Sequence, residues 1–493
     1  MKRLWTILSA FIIALSANAA TVERPKLVIG LVVDQMRWDY LYYYYENLRS
    51  DGLRRLIDEG YSCENTMINY IPTVTAIGHI SIYTGTVPAL HGIAGNNFIE
   101  NGKNMYCCGD ETVSGVGSDS KAGKMSPRNL LANTIGDELR MATDFKSRVF
   151  GVALKDRAAI FPAGQAANAA YWYDNSVGHF ITSTYYMDKL PDWVQRFNKE
   201  NGTKPGEDQK MKAEGVAVTF RMAEAIIRNE RLGMGKYTDM LTISISSTDA
   251  IAHEYGTRDE LTKAAYMQLD KSLSSLLSFL DGRYGRDGYL LFLSADHGGS
   301  HNPIWQREHK LFADGWDGSG TMKGLNEVLQ QKFGVAKLVK GNHGDFIYLN
   351  HAKIDSASIS LDEVKNVAVE YLLKNPDFQF VVDCAKASTS TVPQLIRERI
   401  INGYNRLRSG DIVVIPRAQM FSWKFKDTYK GTTHSQWNPY DSHIPLVFFG
   451  WHVKHGATSA PTRIVDIAPT VCAMLHIQMP NSCIGEAISI AKD

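Results

Sequence analysis

The overall charge of this sequence gives little indication of a charged partner. The chain of 493 residues has 53 Lys and Arg against 52 Asp and Glu, and its formal net charge is +1. A nearly neutral chain of ordinary composition offers no basis for binding nucleic acid or an anionic membrane surface. Internal repeats and low-complexity tracts are absent, and no apolar stretch beyond the N-terminal segment is long enough to span a bilayer.

Cysteine is also scarce, and its spacing excludes one kind of metal site. The six cysteines form no Cys-x-x-Cys motif, so a zinc site made of thiolates is not supported. In an exported protein they can form disulfides. Cys472 and Cys483 are close enough in sequence to pair, and the adjacent Cys107 and Cys108 can each pair elsewhere. Six cysteines allow many connectivities, so the sequence leaves the pairing open.

The N-terminus has the pattern of a secretory signal peptide. Lys2 and Arg3 precede the apolar run from Leu4 to Leu15, and the small residues Ala17 to Ala19 follow it. The run is too short for a stable membrane span, and cleavage after Ala19 fits the small-residue rule. The sequence therefore predicts an exported protein, periplasmic or secreted, without a membrane span in the mature chain.

Alternating strands and helices predict the fold class. Five apolar runs have the composition of strands buried on both faces: Leu27–Val33, Arg148–Leu154, Met240–Ile245, Tyr289–Leu293 and Ile444–Phe449. Between them, apolar residues recur at helical spacing from Val216 to Ile227 and from Tyr266 to Leu280. This order predicts an α/β fold with a mostly parallel central sheet and helices on both faces.

Two regions interrupt the alternation. Residues 97–126 are rich in Gly, Ser, Asn and Asp and predict a surface insertion, and residues 310–430 predict a small α+β insert. We therefore expect a signal peptide over residues 1–19 and one catalytic domain over residues 20–493. A chain of this length suits a large α/β enzyme with insertions.

Most of the candidate metal ligands follow a predicted strand. In an open α/β sheet the carboxyl ends of the strands form the rim of the active site, so separated residues can meet there. Asp249 and His253 have the i, i+4 spacing that puts two side chains on one face of a helix. Asp296 and His297 precede two glycines, which let backbone approach a metal closely. The six candidates are Asp34, Asp249, His253, Asp296, His297 and His434.

Thr75 is the candidate nucleophile. It precedes a helix-like stretch, so it would lie near a helix N-terminus, where free N–H groups favour an anion. The alternative is an ordinary N-cap threonine. A free threonine hydroxyl is a poor nucleophile, but coordination to zinc lowers its pKa.

These segments resemble the alkaline phosphatase superfamily. VDQMR, PTVTAIGH, TDAIAHEYG, SADHGG and the late His434 match its core pattern across most of the mature chain. A threonine nucleophile together with Lys155 and Arg157 resembles the PafA-type bacterial phosphate monoesterases. The resemblance implies two zinc ions per chain: one held by Asp249, His253 and His434, the other by Asp34, Asp296, His297 and Thr75. It also implies that Asn96, Lys155 and Arg157 contact the phosphate oxygens.

Charge counting favours a phosphate monoester independently of the resemblance. Two zinc ions are neutralised by the three aspartates and the Thr75 alkoxide. A monoester dianion then needs further positive charge, which Lys155 and Arg157 supply, and Arg offers a planar fork for phosphate oxygens. Their two-residue spacing lets both side chains point to one side if the segment stays extended after its strand. The alternative for this pair is a solvated basic turn.

Other functions remain open on the same core. A phosphodiesterase or nucleotide pyrophosphatase would share the metal ligands and differ at Asn96, Lys155 and Arg157. A sulfatase is disfavoured because the chain has no Cys-x-Pro-x-Arg motif for a modified nucleophile, and the Lys/Arg pair gives no support to a phosphonate hydrolase or a metal-dependent mutase. A catalytically silent binding protein is possible on the same scaffold, although the intact ligand set argues against it. The predicted partners are small phosphate monoesters.

Overall fold

A computed structural model describes residues 22–491. The predicted signal peptide lies outside the described residues. Within them, no helix is both long and apolar enough to cross a membrane. All six cysteines lie in the described part of the chain and are free thiols, so neither Cys472 nor Cys483 is in a disulfide.

The strands form one large sheet and several small ones. In chain order they are β1 (Leu27–Val33), β2 (Tyr61–Cys63), β3 (Thr66–Met67), β4 (Asn97–Glu100), β5 (Lys103–Tyr106), β6 (Gly115–Val116), β7 (Val149–Ala153), β8 (Ala169–Asp174), β9 (His179–Ser183), β10 (Asp239–Ile245), β11 (Tyr289–Ser294), β12 (Asp314–Gly315), β13 (Val339–His343), β14 (Phe346–Leu349), β15 (Phe378–Asp383), β16 (Ile412–Pro416), β17 (Met420–Phe421), β18 (His443–Ile444), β19 (Leu446–Gly450), β20 (Gly456–Thr458) and β21 (Thr462–Arg463).

The large sheet has ten strands in the order β20-β2-β19-β11-β1-β10-β7-β8-β9-β6. Its central five, β11-β1-β10-β7-β8, are mutually parallel, and antiparallel strands lie on both sides of them. Every residue of β1, β7, β10 and β11 is buried, which requires cover on both faces of the sheet. The α/β prediction with a mostly parallel centre is confirmed.

The described helices include those that cover the large sheet and those that lie in the inserts. They are α1 (Tyr40–Tyr43), α2 (Leu53–Glu59), α3 (Thr75–Thr84), α4 (Pro88–His91), α5 (Ile135–Met141), α6 (Asp156–Ala163), α7 (Asp192–Asn201), α8 (Ala213–Asn229), α9 (Ser247–Tyr255), α10 (Glu260–Tyr284), α11 (Pro303–Glu308), α12 (Gly318–Phe333), α13 (His351–Ser356), α14 (Leu361–Leu372), α15 (Gln394–Gly403), α16 (Pro439–Ser442) and α17 (Ile467–Met474). Both helices predicted from apolar spacing, α8 and α10, are present.

Helix α6 lies very close to the sheet. It contacts β7, β8 and β10. A Cβ on Gly151 of β7 would come within 2.3 Å of the Ala159 carbonyl oxygen, so only glycine admits this approach. Helix α3 packs against α6. Helix α8 contacts β7 and β10 and packs along α10.

The two interrupting regions have structure of their own. Residues 97–126 contain the antiparallel hairpin β4–β5 and the edge strand β6 of the large sheet. The region from residue 310 to residue 430 contains a separate four-stranded sheet, β13-β14-β16-β15, with helices α12 to α15 in the same part of the chain. A buried apolar cluster that includes Trp316, Leu325 and Val364 lies in this region.

One predicted strand differs from the observed structure. The run Ile444–Phe449 is not continuous, because it divides at Pro445 into β18, which pairs with β3, and β19, which joins the large sheet. Proline lacks the N–H that a central strand needs. Strand β19 is also antiparallel to β11.

Candidate active site

The proposed site lies at the carboxyl edge of the parallel strands. Strands β11, β1, β10 and β7 are neighbours, and each is followed within four residues by a candidate residue. These are Asp296 after β11, Asp34 after β1, Asp249 in helix α9 after β10, and Lys155 after β7. The sheet order therefore brings together residues that are far apart in the chain, as the strand-end argument predicts.

Asp34, Asp296 and His297 form a fully buried group. Their side chains are 0% exposed. The His297 Nε2 atom lies 3.6 Å from Asp34 Oδ1 and 3.4 Å from Asp296 Oδ2. The potential ligand atoms of these three residues all lie within 4.8 Å of one another. The spacing is suitable for holding one metal ion.

A second group of potential ligand atoms adjoins the first. Asp249, His297 and His434 also lie within 4.8 Å of one another, and the His297 and His434 rings stack with centroids 3.5 Å apart. The His253 Nε2 atom is 3.1 Å from Asp249 Oδ1. Helix α9 thus places Asp249 and His253 side by side, as their spacing predicts. His297 belongs by distance to both groups.

Several buried ligand atoms lack the hydrogen-bond partners that a metal ion could replace. Four of them have no hydrogen-bond partner within residues 22–491: Asp34 Oδ1, Asp249 Oδ1, Asp296 Oδ2 and His297 Nε2. A buried polar atom without a partner is destabilising, by about 1–3 kcal/mol or more when it is charged. Carboxylate oxygens and imidazole nitrogens are zinc ligands, so two metal ions, one at each group, would satisfy all four atoms.

The imidazole rings are oriented for metal binding. The Nδ1 atoms of the rings lie 2.9, 2.6 and 2.9 Å from the carbonyl oxygens of Thr432, Thr73 and Gly298, for His253, His434 and His297 respectively. A carbonyl oxygen only accepts, so Nδ1 carries the hydrogen in each ring. The neutral ring then presents the Nε2 lone pair, and this arrangement of outer partners is typical of metal-binding histidines.

Lys155 lies between two of the carboxylates. Its Nζ atom is 2.7 Å from Asp34 Oδ2 and 2.5 Å from Asp249 Oδ2, and its side chain is 8% exposed. Burial favours the neutral amine, but the Asp249 and Asp34 carboxylates raise the pKa of Lys155. Burial, with the charges of Asp249 and Asp296, raises the pKa of Asp34 well above its usual value. The site therefore has an excess of buried negative charge that needs cations.

Arg157 is held beside this group by residues that sequence analysis missed. Its Nη1 donates to the Tyr106 hydroxyl at 3.1 Å, and that hydroxyl donates to Asp156 Oδ1 at 2.6 Å. Burial lowers the pKa of Arg157, but the neighbouring Tyr106 and Asp156 raise it by more, so the guanidinium group stays charged. Its Nε is buried without a partner among the described residues. No sequence signal connects Tyr106 in β5 with Arg157.

The Lys155–Arg157 segment does not stay extended, so the condition under which both side chains would point to one side of a strand is not met. Helix α6 begins at Asp156, so Lys155 is the last extended residue and Arg157 lies in the first helical turn. A helix begins here because β7 ends at Ala153 and the chain turns back onto the sheet. The two side chains still reach the same region, since Arg157 contributes to the electrostatic environment of Lys155.

Asn96 presents its amide group at the start of helix α3. The Ala76 N–H donates to Asn96 Oδ1 at 2.9 Å. Because a backbone N–H only donates, the side-chain oxygen faces Ala76 and the NH2 group faces away. No hydrogen bond of the described residues uses that NH2 group, which leaves it free to donate to an anion.

Thr75 is the first residue of α3 and is 1% exposed. Val74 occupies the N-cap position without a side-chain cap, so Thr75 is not an ordinary N-cap threonine. Helix α3 packs directly on Asp296, because a Cβ on Gly78 would lie 2.1 Å from the Asp296 carbonyl oxygen. His79 of the same helix reaches Asp296 Oδ2 at 3.2 Å. Helix α3, which Thr75 begins, therefore contacts the buried ligand group through Gly78 and His79.

The chain is similar to known proteins over nearly its whole length. A sequence model of the family described as type I phosphodiesterase / nucleotide pyrophosphatase matches residues 28–441. A protein of Myroides odoratus named calcium-transporting ATPase is 45% identical, over 95% of each chain. Alkaline phosphatase PafA of Elizabethkingia meningoseptica is 39% identical, over 98% of this chain and 97% of that one.

Two solved structures give the same result. The crystal structure of wild-type alkaline phosphatase PafA matches with a TM-score of 0.91 at 39% identity, covering 96% of this chain and 100% of that chain. A PafA variant with one threonine, one asparagine, one lysine and one arginine substituted matches with a TM-score of 0.91 at 38% identity, over the same shares.

Proposed function

The chain belongs to the type I phosphodiesterase / nucleotide pyrophosphatase family of the alkaline phosphatase superfamily, and on that premise we propose that it is an exported alkaline phosphatase with a two-zinc site. It is a metal-dependent phosphoric monoester hydrolase. One observation carries the two-zinc proposal: four buried ligand atoms without partners lie at one edge of the sheet, next to Lys155 and against helix α3, which Thr75 begins.

The proposed reaction proceeds through Thr75. Its hydroxyl oxygen attacks phosphorus in line and the ester oxygen leaves, which produces a phosphothreonine that water then hydrolyses. Zinc ions bound by the two ligand groups would lower the pKa of the hydroxyl and stabilise the leaving oxygen. Thr75 is the first residue of α3, and the dipole of a helix favours an anion such as phosphate at this end.

The proposed phosphate-binding residues are Lys155, Arg157 and Asn96. We assign them to the nonbridging oxygens of the phosphate, where positioning and electrostatics do most of the catalysis. The PafA variant supports this set: its substituted threonine and asparagine are 21 residues apart, and its lysine and arginine are two apart. Thr75 and Asn96, and Lys155 and Arg157, have the same separations.

In this proposal Lys155 contacts two metal-ligand carboxylates and also binds the phosphate. Its ammonium group contacts Asp34 and Asp249, the two carboxylates that the zinc ions would neutralise. Once those charges are neutralised by metal, the ammonium group is free to turn towards the phosphate. Arg157 needs no such change, because its hydrogen bond to Tyr106 uses only Nη1.

The proposal also includes the limits of the catalytic domain and the export of the protein. We treat residues 20–493 as one catalytic domain to which the 97–126 insertion and the 310–430 insert are added. The insertion supports the site directly, since it contains Tyr106. The sequence pattern of residues 1–19 supports export to the periplasm or the medium.

Paired kinetics test the proposal on the purified zinc-loaded protein. We would compare kcat/KM for p-nitrophenyl phosphate and bis-p-nitrophenyl phosphate in the wild type, in Arg157→Ala and in Arg128→Ala, a control arginine with a side chain 57% exposed. We expect a strong monoester preference that falls on the order of 10³-fold in Arg157→Ala, the low end of what an arginine that stabilises transition-state charge contributes. Arg128→Ala should match the wild type.

The opposite result would favour the alternative. Equal or better turnover of the diester, unchanged by Arg157→Ala, would assign the chain to the phosphodiesterases of the same family. Metal analysis of the same samples distinguishes a third outcome, because a silent scaffold without bound zinc would show neither activity.

A further inference from the structure

His434 differs from the other ligands in how the chain carries it. Asp34 and Asp296 follow strands, and Asp249 and His253 lie on helix α9. His434 lies in the segment 431–438, which has neither helix nor strand and which we call the His434 loop. A loop without repeating backbone hydrogen bonds needs other contacts to hold a metal ligand in place.

One side of the His434 loop is bound to Thr73, two residues before the nucleophile. The Thr73 N–H donates to the Ser435 carbonyl oxygen at 3.2 Å, and His434 Nδ1 donates to the Thr73 carbonyl oxygen at 2.6 Å. The Thr73 hydroxyl donates to the Gln436 carbonyl oxygen at 2.9 Å. Between these contacts Ser435 has a φ of +126°, a region that non-glycine residues rarely occupy.

The other side of the loop is bound to Asp441. Its Oδ2 accepts hydrogen bonds from the N–H groups of Ser435 at 3.1 Å and Gln436 at 2.8 Å. The Asp441 backbone carbonyl accepts from Gly298 N–H at 2.8 Å, next to His297. Asp441 is 1% exposed and takes no part in the proposed reaction. It therefore connects the segments that carry two of the ligand histidines.

The geometry points to Asp441 and Thr73 as positioning residues: the carboxyl group of Asp441 and the hydroxyl of Thr73 hold the His434 loop from opposite sides, in the strained conformation that presents His434 Nε2 to zinc. This inference deepens the proposed two-zinc phosphatase and rests on it. Without the Asp441 acceptor, Ser435 would relax towards a common backbone conformation and His434 would leave its ligand position.

A second buried aspartate provides a matched control. Asp239 at the start of β10 is 5% exposed and accepts two backbone hydrogen bonds, from Arg148 N–H at 2.7 Å and Gly233 N–H at 2.8 Å. It lies at the opposite end of the strand from Asp249. Removing it costs the same kind of interaction without touching the His434 loop.

The experiment measures zinc affinity by chelator competition, and thermal unfolding of the metal-free protein, in Asp441→Ala, Asp441→Asn, Thr73→Val and Asp239→Ala. We expect Asp441→Ala to weaken one of the two zinc sites 10–100-fold, the usual range for partners that orient a ligand. Asparagine keeps an acceptor oxygen at the same place, so Asp441→Asn should restore most of the affinity. Excess zinc should restore activity in Asp441→Ala.

The remaining variants complete the test. Thr73→Val should weaken the same zinc site, by less, and it serves in place of Asp441→Ala if that variant does not fold. Asp239→Ala should lower the unfolding temperature and leave both zinc affinities unchanged. Unchanged zinc affinity in Asp441→Ala or Thr73→Val, or an equal loss in Asp239→Ala, would overturn the inference. A wild type that binds no zinc would overturn the proposed function, and this inference with it.

Discussion

The two proposed ligand groups differ in their access to solvent. The side chains of Asp34, Asp296 and His297 are completely buried. In the other group the side chain of His253 is 38% exposed, whereas Asp249 and His434 are 5% and 7% exposed. Helix α3, which Thr75 begins, packs on the buried group, and His253 gives the other group, which we call the open group, its contact with solvent. We therefore expect the two metal sites to have different tasks. His297 can serve only one of them, since its ring offers a single free nitrogen.

The difference in solvent exposure follows from the strand, helix or loop on which each ligand lies. Asp34, Asp296 and His297 come directly after buried parallel strands, whose positions are determined by neighbours on both sides. His253 is on the last turns of a nine-residue helix, and His434 is in a loop. We therefore expect the buried group to tolerate very little change and the open group to depend on its outer supports.

The largest effect should come from the proposed nucleophile, at the start of the helix that packs on the buried group. Thr75→Ala removes the attacking oxygen, so turnover should fall by roughly 10⁴–10⁶-fold, as it does when other enzymes lose their nucleophile. Zinc content should remain nearly intact, measured by elemental analysis beside the kinetics.

Thr84→Ala is the matched control for this variant. Thr84 is buried at the other end of the same helix, where its hydroxyl bonds to the Ile80 carbonyl oxygen. It should retain activity. Loss of both zinc ions in Thr75→Ala would mean that Thr75 is chiefly structural.

Removal of one ligand from each group should separate the two metals. His253→Ala should leave about one firmly bound zinc per chain, because a catalytic zinc site has only three protein ligands and binds the ion weakly once one of them is removed. Asp34→Ala should cause the greater loss of activity, since it removes a buried ligand beside Thr75 and leaves Lys155 without one of its two carboxylates.

Chelator titration of the wild type extends this prediction. The open group should lose its metal first, in a step that His253→Ala abolishes. Simultaneous loss of both ions, in the wild type and in both variants, would contradict the division into a buried and an open site.

A smaller effect is expected outside the two groups, at the support of Arg157. Tyr106→Phe removes the hydroxyl that accepts from Arg157 Nη1. A hydrogen bond to a charged group contributes about 1.5–3 kcal/mol, so kcat/KM for a monoester should fall by roughly 10-fold or more, with diester turnover unchanged. Tyr185→Phe removes a hydroxyl that bonds to the Gln165 carbonyl oxygen, and it should behave like the wild type. An equal loss for both substrates would point to a general effect on folding.

Several features of the fold could be predicted because they depend on local sequence. Strand β1 has the predicted bounds, and Asp249 and His253 lie side by side on a helix as their spacing requires. Apolar runs and helical periodicity are properties of a few neighbouring residues, so the sequence displays them directly.

Other features failed or were missed because they depend on distant contacts. The Lys155–Arg157 segment is not extended, since α6 begins at Asp156 to return over the sheet. The last predicted strand divides between two sheets at Pro445. The contact of Tyr106 with Arg157 joins an insertion to the core, and no local pattern indicates it.

The sequence by itself determined which residue types stand at the ends of the parallel strands, and with them the candidate metal ligands and the candidate nucleophile. Those residues are defined by short apolar runs and by the polar residues directly after each run, so they can be found without coordinates. Only the tertiary structure decided that one ligand group is sealed and the other open, and that the His434 loop is held by Thr73 and Asp441. Burial and backbone strain arise from packing between segments hundreds of residues apart, and such packing exists only once the chain is folded.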